Sequence, residues 1–150
     1  SLYPEHLAGL DGATLNAEPA GLYHSYWMST VVWDESYDIL KKGVMARLAA
    51  RGIDSRPFFN PLSSLPALSN IASAKPARER NKVAYGLSER GINLPSALCL
   101  EDDDVLWAAC VLRAALESSR VAPVSARERP AAAFVPASPE KVAIPSRSAA

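Results

Sequence analysis

The chain has 150 residues, of which 49% are hydrophobic and 21% are charged, and its formal net charge is zero at pH 7. This length and composition suit one modest domain with a hydrophobic core. A zero net charge without a basic run argues against nucleic acid as a partner. No apolar run reaches the roughly 20 residues that cross a bilayer, and the first ten residues lack an export signal, so no membrane contact is predicted. The only two cysteines are expected to be reduced, which favours a cytoplasmic location.

Residues 1–20 are interpreted as the end of a helix or an incoming linker, with a turn at Asp11-Gly12. Tyr23–Asp34 is rich in aromatic and β-branched residues, which is typical of a strand at the centre of a sheet. His24 lies in this segment without a cysteine or carboxylate cluster at ligand spacing. A hydrogen-bonded structural histidine is therefore favoured over a metal ligand.

A helix is predicted over Ile39–Arg51, because apolar residues recur every fourth position from Leu40 to Leu48. Gly52 is suited to the position just after the end of this helix, where the backbone often needs a positive φ. The helix would therefore lead directly into the segment that follows Gly52.

That segment, Gly52–Pro66, reads GIDSRPFFNPLSSLP and has little periodicity after a short strand that runs into Arg56. An arginine beside aromatic rings, on a backbone stiffened by three prolines, suits the binding of an anionic or polyhydroxylated ligand. The alternative is structural: a surface arginine above a small core in which Phe58 and Phe59 are simply buried.

In the second half, a helix with one apolar face is predicted over Ala77–Arg90, followed by a brief extended piece, Ile92–Pro95. A third helix is predicted over Glu101–Ser118. Its four initial acidic residues are assigned to the favourable electrostatics of a helix N-terminus rather than to a metal site. Cys99 and Cys110 are expected to be buried, reduced thiols and not a disulfide.

The predicted order is strand, helix, strand, helix, strand, helix. It indicates an α/β (α+β-like) fold with a small sheet of about three strands and helices packed on one side. This folded unit is predicted to cover residues 1–120. Residues 121–150 contain nine alanines, five prolines and four serines without hydrophobic periodicity, and they are predicted to form a disordered tail.

Several kinds of catalytic motif are missing from the sequence. There is no GxSxG, no CxxC and no phosphate-binding GxxxxGK[ST], and no convincing Ser–His–Asp or Cys–His set. The five lysines lie in polar stretches, on predicted helix surfaces or in the tail, and none is marked as a desolvated Schiff-base amine. They are Lys41, Lys42, Lys75, Lys82 and Lys141. The residues alone therefore predict no catalytic, cofactor-binding or metal-binding group.

Four segments, read in order, resemble the small C-terminal domain of the DegT/DnrJ/StrS sugar aminotransferases, and most closely the perosamine-synthetase-like members. They are HSYWMSTVV, LAARGIDSRPFFNPLSSLPAL, GLSERGINLPSAL and LEDDDVLWAACVLRAAL. The resemblance covers about Leu7–Leu116 and implies the small domain of a fold-type-I enzyme. Such enzymes are pyridoxal-phosphate-dependent homodimers that move an amino group, usually from glutamate, onto a keto group of a nucleotide-linked sugar in polysaccharide and deoxysugar biosynthesis.

The family's larger N-terminal domain, which carries the cofactor-binding lysine, is not present in this sequence. The resemblance therefore implies no catalytic residue here and no pyridoxal phosphate bound by this chain alone. Because the family's central loop lies at the edge of the active-site cleft, it implies that Arg56, Phe58, Ser63 and Ser64 contact the nucleotide sugar.

Two interpretations follow from these observations. In the first, the chain is the C-terminal portion of a sugar aminotransferase, inert without the large domain or a homodimer partner. In the second, it is a stand-alone, non-enzymatic module that binds a nucleotide sugar or a partner subunit.

Overall fold

The computed structural model describes residues 2–16, 20–21, 23–25 and 27–121. Within these ranges four strands form one antiparallel sheet in the order β1-β2-β4-β3. The strands are β1 (Ala13–Leu15), β2 (Ser29–Trp33), β3 (Arg56–Pro57) and β4 (Gly91–Leu94). The α-helices are α1 (Tyr3–His6), α2 (Lys41–Ala49), α3 (Ala77–Arg80), α4 (Lys82–Glu89) and α5 (Asp102–Glu117). Three short 3-10 helices, Leu62–Ser64, Pro66–Leu68 and Ala72–Ala74, lie between β3 and α3.

The register of the sheet decides which residues share a face. Thr30 of β2 lies opposite Asn93 of β4, and Val31 lies opposite Ile92. Arg56 of β3 also lies opposite Asn93. Because opposed residues point to the same side and successive residues alternate, Thr30, Asn93 and Arg56 lie on one face, and Val31 and Ile92 lie on the other.

Helices α1, α2 and α5 cover the face that holds Val31 and Ile92, and together they enclose the hydrophobic core. The largest fully buried side chains are Trp33, Tyr37, Leu48, Ile92, Leu112, Leu116, Val31 and Val44. Burial of this apolar surface is the main term that stabilises the fold.

The start of α5 shows why an acidic cluster occurs there. Glu101 is the N-cap residue, and its backbone N–H donates to Asp104 Oδ2 at 3.0 Å, which completes a capping box. Three aspartates occupy the first turn, where the helix dipole favours negative charge. The prediction that these residues mark a helix start is confirmed.

The end of α2 is set by Gly52, as predicted. Gly52 has a φ of +76°, and the N–H of Ile53 donates to Leu48 O at 3.0 Å across the terminal turn. The chain therefore reverses at Gly52 and enters β3.

The predicted α/β fold is confirmed, but the sheet has four strands and not about three. The additional strand is β1, which lies within residues 1–20 that were interpreted as a helix end or linker. Three residues are too few for a recognisable period, and β1 is defined by its pairing with β2, where Ala13 lies opposite Trp33. Of the predicted strand Tyr23–Asp34, only Ser29–Trp33 is a strand among the described residues.

The single helix predicted over Ala77–Arg90 is wrong, because α3 and α4 are separated at Asn81, whose φ of −107° and ψ of 46° are not helical. The burial predicted for Cys99 and Cys110 is also wrong, since both are exposed free thiols. Cys110 shares the exposed face of α5 with Trp107 and Ala114, which lie three and four residues away from it. The predicted tail, apart from Val121, lies outside the described residues.

In the part of the chain that the structure describes, no helix is both long and apolar enough to cross a bilayer.

Candidate functional site

A cleft of about 630 Å³ lies between the first turns of α5 and the segments that lead into β2 and β3 and out of β4. It is lined by Trp27, Met28, Gly52, Ile53, Asp54, Arg56, Asn93, Leu94, Pro95, Ser96, Ala97, Leu100, Asp104, Trp107 and Ala108. The cleft therefore joins several segments that are distant in sequence.

The lining combines aromatic rings with hydrogen-bond donors and acceptors. Trp27 and Trp107 expose 67% and 48% of their surface, so both indoles are accessible. Trp107 Nε1 donates to Arg51 O at 3.4 Å, which links its ring to the end of α2. Asp54 and Asp104 supply carboxylates. Such a mixture can bind a polar ligand that also presents an apolar surface.

Arg56 is the predicted site residue that lines this cleft. Its backbone lies in β3 opposite Asn93 of β4. Just beyond β3, the Phe58 N–H donates to Gly91 O at 3.0 Å, which continues the contact between the two strands. The side chain is exposed and makes no hydrogen bond or ion pair with other described residues. Its planar fork of donors is therefore available to a ligand.

Phe58 and Phe59 lie outside the cleft lining. Phe58 is half-buried, and its ring centroid lies 5.9 Å from that of Phe59, in an edge-on arrangement. Phe58 packs directly on β4, because a Cβ built on Gly91 would lie 2.9 Å from Phe58 Cβ. The absence of a side chain at Gly91 permits this close approach.

Ser63 and Ser64 also lie outside the cleft lining. Ser63 Oγ is 3.0 Å from the Tyr85 hydroxyl, which connects the first 3-10 turn to α4. Ser64 Oγ donates to Pro61 O at 2.7 Å and so closes its own turn. The structure thus places Arg56 in the cleft, and it places Phe58, Ser63 and Ser64 in the loop beside β4 and α4.

Lys41 is not the solvent-exposed helix residue that the sequence predicted. Its Nζ lies 3.2 Å from Phe58 O, 2.9 Å from Asn60 Oδ1 and 3.4 Å from Ser88 Oγ, and it donates to all three. Burial lowers the pKa of its amine. Lys41 therefore ties α2 to the loop after β3 and to α4.

Tyr3 links α1 to one edge of the cleft. Its hydroxyl donates to Pro95 O at 2.9 Å. Burial raises the pKa of the Tyr3 phenol to about 12, and the nearby negative charge of Asp104 adds to the effect. The neutral phenol is thus the form that the fold favours.

Sequence reasoning missed most of the cleft. Asn93 was visible only as a polar residue between two apolar ones in INLP, and that alternation does place it on the opposite sheet face. Trp27 and Trp107 carry no local signal for a binding site, and they lie within the predicted strand Tyr23–Asp34 and the predicted helix Glu101–Ser118. Their meeting depends on how α5 packs against the sheet, which no local pattern predicts.

Pyridoxal phosphate, which the sequence resemblance implies, needs an amine for covalent attachment. No lysine lines the cleft among the described residues. Lys41 is hydrogen-bonded within the fold, and Lys42, Lys75 and Lys82 are exposed. The cleft therefore does not fit covalent attachment of the cofactor. The same described residues contain no cluster of three metal-ligating side chains.

Solved structures share this fold. The aminotransferase TlmJ from Streptoalloteichus hindustanus superimposes with a TM-score of 0.59 at 26% identity, covering 77% of this chain and 29% of that chain. Helicobacter pylori PseC, an aminotransferase involved in the biosynthesis of pseudoaminic acid, superimposes with a TM-score of 0.66 at 18% identity, covering 77% and 30%. The fold is thus that of one part of an aminotransferase.

The sequence profile of the DegT/DnrJ/EryC1/StrS aminotransferase family matches residues 1–109, and the chain belongs to this family. It is 37% identical over 108 residues to the GDP-perosamine synthase of Vibrio cholerae, an alignment that covers 69% of this chain and 27% of that protein. It is 32% identical over 82 residues to the GDP-perosamine synthase of Caulobacter vibrioides, covering 55% and 21%. The resemblance found in the sequence is confirmed, and the chain spans about a quarter of the length of these relatives.

Proposed function

We propose that this chain is the C-terminal portion of a pyridoxal-phosphate-dependent nucleotide-sugar aminotransferase and that it forms a substrate-side wall of the active site without being catalytic alone. The observation that carries the proposal is the family match over residues 1–109 together with a cleft that offers ligand-binding groups but no lysine in its described lining. Cytoplasmic location is part of the same proposal.

The proposal divides the work between two parts of the enzyme. Pyridoxal phosphate supplies an electron sink when it is bound, and the amine that holds it comes from a larger portion, on the same polypeptide or on a partner subunit. This chain orients the substrate. Arg56 donates hydrogen bonds within the cleft, while Phe58, Ser63 and Ser64 form the rim that faces the larger portion.

Exposed apolar side chains support the need for a covering partner. Phe59, Leu62, Ile71 and Val83 are large apolar residues that solvent reaches in and beside this loop. Four such residues within one segment of the chain favour a partner that covers them. The names of the relatives favour a GDP-linked keto-sugar as the substrate, in the biosynthesis of a polysaccharide.

The proposal can be tested by mixing the chain with a separately expressed N-terminal portion of the Vibrio cholerae relative. The mixture is expected to bind pyridoxal phosphate, detected by its visible absorbance, and to transfer the amino group of glutamate to a GDP-linked keto-sugar. Either portion alone should be inactive. Amino transfer by this chain alone, or no gain on mixing, would contradict the proposal.

Arg56→Gln provides the matching variant. Loss of the positive charge and of the paired N–H donors of the guanidinium should reduce kcat/KM of the mixture at least tenfold, since one charge-assisted hydrogen bond contributes about 1.5–3 kcal/mol. Arg78→Gln is the control, because Arg78 is an exposed arginine that pairs with Glu89 at 2.8 Å outside the cleft. Binding of a nucleotide sugar by the chain alone, with no gain on mixing, would instead support the stand-alone module.

A further inference from the structure

Three side chains form a row across the sheet at the cleft. Thr30, Asn93 and Arg56 lie opposite one another on β2, β4 and β3, and they share one face. The Thr30 hydroxyl donates to Asn93 Oδ1 at 2.7 Å. This bond fixes the orientation of the carboxamide, so that its N–H₂ group points away from Thr30.

The Asn93 amide nitrogen has no hydrogen-bond partner among the described residues, although Asn93 is only 5% exposed. It is not sealed from solvent like the unpaired Ser55 Oγ and Arg90 Nε. Asn93 is also one of the residues that line the cleft. An acceptor on a ligand would give this amide group the partner that it lacks among the described residues.

A second layer of hydrogen bonds holds this arrangement. The Thr30 N–H donates to Asn16 Oδ1 at 2.8 Å, and Asn16 Nδ2 donates to Met28 O at 2.8 Å. The orientation of Asn93 is therefore set before any ligand arrives, which reduces the ordering cost of binding.

The charges of the cleft argue for an uncharged ligand group. The guanidinium of Arg56 is outnumbered by the carboxylates of Asp54 and Asp104, so a diphosphate would meet a net repulsion. A sugar ring suits all of these groups, because its hydroxyls donate to carboxylates and also accept from Asn93 and Arg56. The apolar C–H faces of the ring can pack on the indoles of Trp27 and Trp107.

We infer that the cleft binds the hexose ring of the nucleotide sugar and not its diphosphate, and that Asn93 is a specificity-determining residue that donates to an oxygen of that ring. Thr30 is a positioning residue that acts through Asn93. This inference rests on the proposed function, because it names the part of the proposed substrate that enters the cleft.

The test compares two probes, GDP-mannose and GDP, added to the isotope-labelled full chain and followed by NMR. GDP-mannose is expected to shift the side-chain amide signal of Asn93 and the indole N–H signals of Trp27 and Trp107. GDP should leave these signals in place. Equal shifts with GDP, or no cleft shifts with either probe, would overturn the inference.

Variants separate recognition from folding. Asn93→Asp keeps the shape and the acceptor for Thr30 but removes the N–H₂ donors, and it should weaken GDP-mannose binding about tenfold. Thr30→Val should weaken binding severalfold, whereas Thr30→Ser should restore it. Ser69→Ala is the control, because the Ser69 hydroxyl donates to Pro66 O at 2.7 Å outside the cleft.

Unchanged affinity in Asn93→Asp would contradict the role of Asn93. If that variant fails to fold, the comparison of Thr30→Val with Thr30→Ser provides the test. Equal affinity of these two variants for GDP-mannose would contradict the inference. Its failure is distinguishable from failure of the proposed function, because the mixing experiment measures amino transfer regardless of which part of the substrate occupies the cleft.

Discussion

The helix-covered half of the molecule and the region from Phe58 to Leu87 both contain many apolar side chains, but they bury them very differently. Leu48 and Leu112, on α2 and α5, are completely inaccessible to solvent. Leu62 and Val83 each leave 73% of their surface exposed. Because buried apolar area stabilises a fold and exposed apolar area does not, the first half supplies the stability of the chain. The second region is held mainly by polar links, and its apolar surface is available to a partner.

The largest test of this difference is a pair of equivalent truncations. Leu112→Ala removes a fully buried side chain from α5 and should lower the free energy of unfolding by about 3 kcal/mol. Leu62→Ala should change it by less than about 0.5 kcal/mol, as expected for an exposed site. Urea denaturation followed by tryptophan fluorescence measures both, and similar losses in the two variants would refute the comparison.

Alkaline pH should weaken the buried half through Tyr3. Its pKa rises from 10.0 in the unfolded chain to about 12 in the folded one, so between these values the folded state binds more protons. Stability therefore falls as pH rises from 10 to 12, by up to about 2 kcal/mol.

Tyr3→Phe should abolish that part of the pH dependence, which urea midpoints measured across the same range would reveal. Tyr23→Phe is the control, because Tyr23 is an exposed tyrosine. A pH profile of Tyr3→Phe that runs parallel to the wild type would exclude Tyr3 as the cause.

Lys41 is the link between the two regions, and its removal should affect them unequally. Lys41→Met leaves Phe58 O without its donor and leaves Asn60 Oδ1 with the Ser88 hydroxyl alone, so it should cost about 1–2 kcal/mol of stability. Hydrogen exchange should quicken in the loop around Asn60 more than in α5. Lys42→Met, which changes the exposed neighbouring lysine, is the control and should leave stability and hydrogen exchange unchanged. If Lys41→Met quickened exchange equally in the loop and in α5, Lys41 would not be a local link.

The smallest expected effects concern two glycines, one at the boundary and one in the exposed region. Gly52→Ala places a side chain at a φ of +76° and should cost about 1 kcal/mol. Gly86→Ala lies within α4, where an added Cβ would meet only Arg90 Nη2, at 3.4 Å, and it should stabilise by about 0.5–1 kcal/mol. Thermal unfolding measures both, and two changes of the same sign would contradict this explanation.

Much of the fold could be predicted from the sequence because its signals are local. The apolar spacing from Leu40 to Leu48, the glycine at position 52 and the acidic start of α5 each act within one or two helical turns. Strand β1 could not be predicted, since three residues gain their conformation from pairing with β2. The exposure of Cys110 and the contacts of Lys41 likewise depend on neighbours far along the chain.

The candidate site divides in the same way. Local sequence motifs identify the family, the order of the main elements and Arg56 as a cleft residue, because a run such as RPFF carries its chemistry within a few positions. The folded chain, and no local motif, shows that Asn93 joins Thr30 and Arg56 in one row and that two tryptophans 80 positions apart line the same cleft. Strand register and helix packing bring these residues together, and both are properties of long-range contacts that no single segment encodes.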